Sequence, residues 1–244
     1  MGHLGSIDVG KIFGVTAQTI NYWRKHYGLP TPPPKPSLGN RKYDTNRNFF
    51  AQIDTPAKAY ILGFVVADGS VHKSGKSVSI AIKESDAALL EAIAREFNYD
   101  GPIGRKVTRH GYGDVDRTLA VLHLCGRKLV EDLGVLGVRA NKSHNATFPV
   151  VLPHLEPHLV RGLFDGDGWI GDQQFSLVGT DEVVEGTMDA VMRHTGQCLR
   201  PYRDAKGFLY AQGARRNRAV MDWMYREAPI VLARKAEAYR LHWA

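Results

Sequence analysis

The sequence predicts an α+β protein in which an αββαββα unit occurs twice, after a small all-α helix-turn-helix. Three observations support this. Two short helical segments flank a glycine near the N-terminus, and a proline-rich stretch follows them. Beyond residue 53 the chain repeats one series of helices and strands. Each series opens with an apolar segment ending in Asp-Gly, with the two acids 99 residues apart at positions 68 and 167. The predicted domains are 1–30, 31–53, 54–149 and 150–244.

The helix-turn-helix is predicted for residues 7–29. Residues 7–13 form the first helix, Gly14 the turn, and Thr16 the N-cap of a second helix over 17–26. An apolar face would join Val9, Ile12, Phe13, Ile20 and Trp23. Base-facing candidates on the second helix are Gln18, Thr19 and Asn21, and Tyr22, Arg24 and Lys25 are further DNA-contact candidates.

Residues 31–53 are predicted to be an extended basic linker. Five prolines fall within residues 30–36, and such density favours an extended chain. Lys35, Arg41 and Lys42 add positive charge and are candidates for DNA contact.

The duplicated region alternates strand and helix signals in the same order twice. "SVSIAIK" and "QQFSLVG" alternate apolar and polar residues, and polar caps at 85–86 and 180–181 precede amphipathic helices. Further strands are predicted at 102–109 and 118–124 in one half. Their counterparts are 198–204 and 207–212, and a helix closes each half.

Small residues on the two opening helices predict close helix packing. Gly63 and Ala67 are four residues apart, as are Gly162 and Gly166, so each pair shares a helix face. Small residues at this spacing allow two helix backbones to approach. These four residues are therefore the predicted helix interface. We expect Gly69 and Gly168 to adopt the left-handed conformation that commonly ends a helix.

The same packing would bring Asp68 and Asp167 together at two helix C-termini. Two carboxylates at the negative ends of helix dipoles repel one another, and a divalent cation would relieve this. Oxygen ligands favour Mg²⁺ over zinc. Acids, metal and a net charge of +7 together predict phosphodiester hydrolysis. An apolar helix ending in Asp-Gly is commonly only a capped core helix, and the matched second copy argues against that reading.

At these residues the chain resembles the LAGLIDADG homing endonucleases. "ILGFVVADG" (61–69) and "VRGLFDGDG" (160–168) align with the nine-letter signature without gaps, and the resemblance extends over residues 54–244. It implies a monomer with pseudo-twofold symmetry whose two saddle-shaped sheets lie in the DNA major groove. It also implies that Asp68 and Asp167, together with Ala67 and Gly166, form the site of the catalytic metals. The sixth signature letter is Val66 in one copy and Asp165 in the other.

The resemblance also suggests a lysine late in each half beside the active site. The matching segments are "GVRANKSHNA", with Lys142, and "IVLARKAEAY", with Lys235 and its neighbour Arg234. Such a lysine would orient the attacking water or stabilise transition-state charge. Lys83 and Glu84 are weaker candidates for lining the site.

Polar and cationic residues around the strands are the candidates for reading DNA, because alternate side chains of a sheet in the major groove reach base edges. In the first half they are Lys73, Lys76, Lys83, Arg105, Lys106, Arg109 and Arg117. In the second half they are Gln173, Gln174, Arg200, Arg203, Lys206, Arg215 and Arg216.

The sequence therefore predicts a site-specific, Mg²⁺-dependent double-strand DNA endonuclease that leaves 3′ overhangs. Two or three metal ions are expected, with Mn²⁺ or Ca²⁺ able to replace Mg²⁺ in binding. The expected partner is double-stranded DNA with a long target site, and no protein partner is required. A DNA-binding regulator that does not cut, and an RNA maturase, remain alternatives on the same scaffold.

Composition and the N-terminus narrow the expected location. Cys125 and Cys198 form no metal-binding pair, which favours a reducing cytosol. "MGHLGSID" lacks the features of a signal peptide, and the longest apolar run is too short for a membrane span. A cytoplasmic, nucleoid-associated protein of prokaryotic or phage origin is expected, with no membrane partner. His154 and His158 have metal-like spacing but are expected to be structural, because prolines flank them.

Overall fold

The computed structural model describes residues 6–29, 43–109, 116–142 and 145–244. The chain divides into two compact units, Met1–Lys42 and Tyr43–Ala244. Three predicted DNA contacts of the proline-rich segment, Lys35, Arg41 and Lys42, lie outside the described residues. No helix among the described residues is both long enough and apolar enough to cross a membrane.

The N-terminal unit contains helices α1 (Ser6–Phe13) and α2 (Ala17–His26). Gly14 has φ +65°, as a tight turn requires, and the Thr16 side chain accepts a hydrogen bond from the Thr19 nitrogen. The predicted apolar face is only partly correct, because Ile20 is buried whereas Ile12 and Phe13 are 66% and 67% exposed. Amphipathic spacing alone did not show that two short helices offer too little surface to cover every apolar side chain.

The second unit contains the predicted duplication. The first half runs α3 (Pro56–Asp68), β1 (Gly69–Val71), β2 (Ser77–Lys83), α4 (Ala87–Glu96), β3 (Gly104–Arg109), β4 (Asp116–Cys125) and α5 (Arg127–Val135). The second half runs α6 (Glu156–Asp167), β5 (Gly168–Ile170), β6 (Gln174–Gly179), α7 (Asp181–Thr195), β7 (Arg200–Arg203), β8 (Leu209–Ala214), α8 (Arg218–Tyr225) and α9 (Ala233–His242). The α+β class and the αββαββα order are confirmed, with α9 following the second series.

Each half contributes one antiparallel four-stranded sheet. The strand orders are β1-β2-β4-β3 and β5-β6-β8-β7, so the two sheets have the same topology. Gly69 pairs with Ile80 and Gly168 pairs with Leu177, which gives the strand after each motif an equivalent register. In β2 the side chains of Val78, Ile80 and Ile82 are buried, while Ala81 and Lys83 on the opposite face are exposed. One face of each sheet therefore packs on the helices and the other is open.

The described end of the predicted linker is part of the core, which corrects the expectation that residues 31–53 are unpacked. Phe49 and Phe50 are each only 2% exposed. Phe49 stacks on Phe97, which follows α4, with ring centroids 3.9 Å apart. Burial of three aromatic rings stabilises this end of the segment in the core, although the prolines upstream favour an extended chain.

Helices α3 and α6 meet at their glycines, as predicted. A Cβ atom placed on Gly63 would overlap the carbonyl oxygen of Leu159, and one placed on Gly162 would overlap that of Tyr60. Leu159 and Tyr60 are themselves equivalent, each three residues before the glycine of its own helix. The contact is therefore reciprocal, and both helix backbones approach to a distance that no other residue allows.

The glycines that follow the acids have a different role from the one predicted. Gly69 has φ −70° and Gly168 has φ −88°, so neither is left-handed. A Cβ atom on Gly69 would lie 2.5 Å from the Val65 carbonyl oxygen, and one on Gly168 would overlap that of Phe164. Glycine is needed there because the chain turns sharply from helix to strand against its own last helical turn.

Replacing either interface glycine by alanine should strongly destabilise the protein. We expect Gly63→Ala or Gly162→Ala to lower the free energy of unfolding by at least about 3 kcal/mol, because each methyl group would force the two backbones apart. Urea unfolding followed by circular dichroism measures this change.

Gly134→Ala in α5 is the matched control. A Cβ atom at Gly134 meets nothing within 4 Å, so the substitution should be neutral or stabilise by up to about 1 kcal/mol through helix propensity. Equal effects of the three substitutions would contradict the reciprocal contact.

A buried polar network holds the outer side of α6. The Arg161 side chain is fully buried and donates hydrogen bonds to the carbonyl oxygens of Met224 (2.8 Å) and Ile230 (3.2 Å). Its Nη1 atom lies 3.0 Å from Nδ1 of His158. His158 is thus a structural residue, as expected, and burial followed by the charge of Arg161 lowers its pKa to about 4.

His158 should make the stability of the protein sensitive to acid. Its pKa is lower in the folded chain than in the unfolded chain, so its contribution is complete above about pH 6.5 and is lost as the pH falls towards 4. Between pH 7.5 and 5 the wild-type protein should lose about 2 kcal/mol more than His158→Gln. Unfolding at several pH values measures the difference. The exposed His72, replaced in His72→Gln, should keep the wild-type pH dependence.

Candidate metal centre and nucleic-acid interface

Asp68 and Asp167 stand at the adjoining C-terminal ends of α3 and α6. A Cβ atom on Gly166 would overlap the Ala67 methyl group and lie 3.5 Å from Oδ2 of Asp68. One alanine and one glycine therefore fill the space between the helix ends, and a second methyl group would not fit. The predicted interface residues are thus the ones that bring the acids together.

The two carboxylates have an unfavourable electrostatic environment. Both side chains reach solvent, yet the surrounding protein removes enough water to raise the pKa of Asp68 and of Asp167. For Asp167, desolvation and then the negative charge of Asp68 raise the pKa to about 6. Over the described residues, neither carboxylate accepts a hydrogen bond or forms an ion pair.

Lys142 and Lys235 each bind the last carbonyl groups of one motif helix. Lys142 Nζ donates to the oxygen of Val66 (2.6 Å) and to that of Ala67. Lys235 Nζ donates to the oxygens of Asp165 (2.8 Å) and Gly168 (2.6 Å) and to that of Phe164. The two lysines therefore occupy equivalent positions, where a cation offsets the negative end of a helix dipole.

Burial lowers the pKa of both lysines, while the two acids oppose that shift. Desolvation is the main cause in each case, and the pKa of Lys235, whose side chain is 2% exposed, falls to about 8. Asp68 and Asp167 each raise the pKa of both lysines. The four predicted catalytic residues thus form one electrostatic cluster.

The donor set suits a hard divalent cation. Unpaired carboxylates at two helix C-termini are stabilised by positive charge, and carboxylate oxygens are preferred by Mg²⁺ and Ca²⁺. No cluster of three or more His, Cys, Asp or Glu side chains fit for a metal occurs in the part of the chain that the structure describes. Asp68 and Asp167 would therefore hold the ion with backbone oxygens, water and phosphate completing its ligands.

The sixth signature position has different roles in the two copies. Asp165 is 1% exposed and accepts hydrogen bonds from the hydroxyls of Tyr60 (2.8 Å) and Tyr225 (2.6 Å) and from the Leu232 nitrogen (2.7 Å). The last bond holds the residue that precedes α9, the helix bearing Lys235. Asp165 is therefore a buried support for the site, whereas Val66 is apolar core.

The open face of the first sheet carries a small set of polar side chains. Paired residues of antiparallel strands share a face, and Thr108 pairs with Arg117 while Lys106 pairs with Leu119. Next along this face are His123 and Ser79, which also pair. A cavity of about 810 Å³ on this face is lined by Asp68, Lys83, Arg117 and Arg234, among others.

The open face of the second sheet is more aromatic. One row across its four strands is Trp169, Ser176, Gln212 and Arg200. In the next row Tyr202 stacks on Tyr210, with ring centroids 4.8 Å apart. Gln174 is exposed and accepts a hydrogen bond from Gln212 (2.9 Å).

The structure places two of the predicted DNA contacts on the opposite, helix-facing side. Arg105 shares a face with the buried Ala120 and pairs with Glu84 (2.6 Å). Arg203 shares a face with Leu209 and pairs with Asp181 (2.6 Å). Sequence reasoning chose residues by charge and did not apply the alternation that separates the two faces. That alternation would have identified Thr108, His123, Tyr202, Tyr210 and Gln212, which were missed.

The other predicted contacts lie in turns or have no described side chain. Lys73, Lys76, Gln173 and Lys206 are exposed in hairpin turns, and Arg215 and Arg216 are exposed after β8. Arg215 also lies over the Trp243 ring. The side chain of Arg109 is outside the described residues.

On α2 the predicted contacts are not equally accessible. Gln18, Tyr22 and Lys25 are exposed, and Tyr22 stacks on His26. The Asn21 side chain accepts a hydrogen bond from Ser6 (2.6 Å), which also accepts one from Arg24 (3.1 Å). The Thr19 hydroxyl lies 2.9 Å from that of the capping Thr16. Asn21, Arg24 and Thr19 therefore contribute to the packing of the helix pair.

Comparisons with known proteins agree with this architecture. The sequence profile described as "LAGLIDADG-like domain" matches residues 55–134. A search of curated proteins finds no significant match.

Solved structures resemble about four fifths of the chain. The homing endonuclease I-WcaI bound to its DNA recognition sequence has a TM-score of 0.56 and 14% identity, over 78% of this chain and 91% of that chain. I-DmoI in complex with DNA and Ca has a TM-score of 0.50 and 14% identity, over 81% of this chain and 100% of that chain. Full-length DUF199/WhiA from Thermatoga maritima has a TM-score of 0.49 and 10% identity, over 80% of this chain and 64% of that chain.

The matched profile covers the first motif, and the I-WcaI and I-DmoI structures share the duplicated fold. The second motif, residues 160–168, includes the end of α6, the helix equivalent to α3. Residues 55–134 therefore match a LAGLIDADG-like domain, and a second copy of the nine-residue motif occurs in the other half of the second unit.

Proposed function

We propose that this protein is a site-specific, metal-dependent double-strand DNA endonuclease. The observation that carries the proposal is the pair of unpartnered carboxylates, Asp68 and Asp167, held together at the helix ends. Two similar structures are homing endonucleases solved on DNA, one of them with Ca. The open sheet faces and the net charge of +7 suit a DNA duplex.

Asp68 and Asp167 would hold the divalent cations against the phosphate to be cut. Bound metal would polarise the phosphodiester and lower the pKa of attacking water. The carboxylates would supply the charged oxygen ligands that hold these ions between the two helix ends. Each is therefore needed for cleavage of both strands.

Lys142 and Lys235 would supply positive charge next to the two carboxylates. Their ammonium groups hold the ends of α3 and α6 in place and partly balance the acids. Lys142 already donates to two backbone carbonyl groups and Lys235 to three. We infer that their main contribution is positioning and electrostatic stabilisation.

The helix pair α1–α2 would extend the contacted DNA. Gln18, Tyr22 and Lys25 are accessible candidates on α2. Tethering a second binding module raises affinity by effective concentration without requiring strong contacts of its own. With this second module, the protein would contact a longer target site than the two sheets alone could cover.

The acids provide the direct test. With Mg²⁺, Asp68→Asn or Asp167→Asn should slow cleavage of a duplex site at least about 1000-fold, because each removes a charged metal ligand. The site is first selected from a randomised library by binding in Ca²⁺. Affinity for this duplex in Ca²⁺, measured by gel shift, should change by less than about tenfold.

Asp172→Asn is the matched control, since Asp172 is an exposed acid five residues after Asp167. It should cut at the wild-type rate. Titration calorimetry of Mn²⁺ into the protein on uncleavable DNA should show weaker binding by the two active-site variants. Wild-type protein that shifts DNA equally with Mg²⁺ or EDTA and never cuts it would support the regulator instead.

A further inference from the structure

An ion pair joins the two halves beside Asp68. Arg234, near the start of α9 in the second half, donates from Nε to Oδ2 of Asp86 in the first half, at 3.0 Å. The Asp86 side chain is only 9% exposed, whereas that of Arg234 is 51% exposed. A carboxylate fixed in the protein therefore holds an arginine that reaches solvent.

The pair leaves one edge of the guanidinium available. Only Nε of Arg234 is engaged by Asp86, and its two Nη atoms make no hydrogen bond or ion pair with any described residue. Arg234 lines the 810 Å³ cavity together with Asp68, Lys83 and Arg117, and its charge also acts on Asp68. The two Nη groups can thus grip two oxygens of one phosphate, which is a geometry that lysine cannot provide.

Asp167 has no equivalent arginine around it among the residues that the structure describes. Aligning Lys142 with Lys235 places Asn141 where the second half has Arg234. The cavity at Asp167 is smaller, about 310 Å³, and Lys142 is the only cation among its described lining residues. That ammonium group is already bound to the carbonyl oxygens of Val66 and Ala67. The two half-sites therefore share acids and lysines but differ in the cations available to DNA.

We propose that Arg234, oriented by Asp86, positions the phosphate of the strand cut on the Asp68 side and makes that strand the first to be cut. The inference rests on the endonuclease function proposed above. An arginine fixed before DNA binds needs no reorganisation when charge develops on the phosphate, so it speeds the step it serves. The strand on the Asp167 side lacks this help.

The test follows each strand separately. The selected duplex carries a different fluorophore on each strand, and full-length protein in excess cuts it in Mg²⁺ under single-turnover conditions. Wild type should cut one strand at least about threefold faster than the other. Arg234→Gln should slow that same strand at least about tenfold and the other by less than about twofold.

Two further variants separate positioning from folding. Arg218→Gln removes another Nε–Oδ2 pair of the second half, with Asp222 at 3.6 Å, and should leave both rates within about twofold of wild type. Asp86→Asn keeps Arg234 but weakens the contact that orients it. Cleavage of the same strand should therefore slow by a smaller factor than in Arg234→Gln, and Asp86→Glu should restore the rate. Thermal unfolding of Arg234→Gln should stay close to wild type.

The outcomes distinguish the two proposals. Cleavage that slows equally on both strands in Arg234→Gln, or on the strand that wild type cuts second, overturns the inference and leaves the nuclease in place. Loss of thermal stability together with equal slowing identifies the ion pair as a structural link between halves. Wild-type protein that never cuts in Mg²⁺ overturns both proposals.

Discussion

The contact between the backbones of α3 and α6 is the constraint on which the site depends. At Gly63 and at Gly162, a carbonyl oxygen of the opposite helix occupies the space that a Cβ atom would need. Because the contact is reciprocal, it fixes the distance and the register of the two helices together. The acids five residues further along are then brought side by side without any contact of their own. Their position results from packing, which is why two mutually repelling carboxylates can be held together.

The adjacent carboxylates are stabilised by positive charge, both from the protein and from the solvent side. The helix dipoles point their negative ends at the carboxylates, and each carboxylate raises the cost of ionising its neighbour. Lys142 and Lys235 reduce this cost from within the protein, because each binds the exposed carbonyl groups of one helix. The lysines do not neutralise the carboxylates directly. Space and charge for a divalent cation therefore remain at the solvent side of the pair.

Much of the fold and the identity of the acids could be predicted from the sequence, since both depend on local spacing. Repetition located the halves, and small residues at four-residue spacing located the helix contact. Predictions that needed three-dimensional information were less successful. The glycines after the acids were assigned a left-handed turn, whereas the structure uses them to relieve crowding against Val65 and Phe164. A sequence shows that glycine is present. It does not show whether the structure uses the left-handed conformation that glycine allows or the space left by its missing Cβ atom.

Charge alone likewise does not identify which side chains lie on the open face of a sheet. Arg105 and Arg203 are cationic, yet each forms an ion pair with an acid on the helix side of its sheet. Whether an arginine faces DNA depends on the strand register, and the register depends on pairing with residues far away in sequence. The same limit applies to Asp165, whose three hydrogen-bond donors come from α3, from α8 and from the residue before α9.

The two halves are equivalent in backbone but not in the side chains that support the site. In the second half, buried polar groups around α6 include Arg161 and Asp165, where the first half has Leu62 and Val66. Asp165 fixes the segment before α9, and α9 carries both Lys235 and Arg234 to the site. The polar core of one half thus determines which cations reach the acid of the other half. A duplicated backbone can therefore bring two similar acids together while giving each different surroundings.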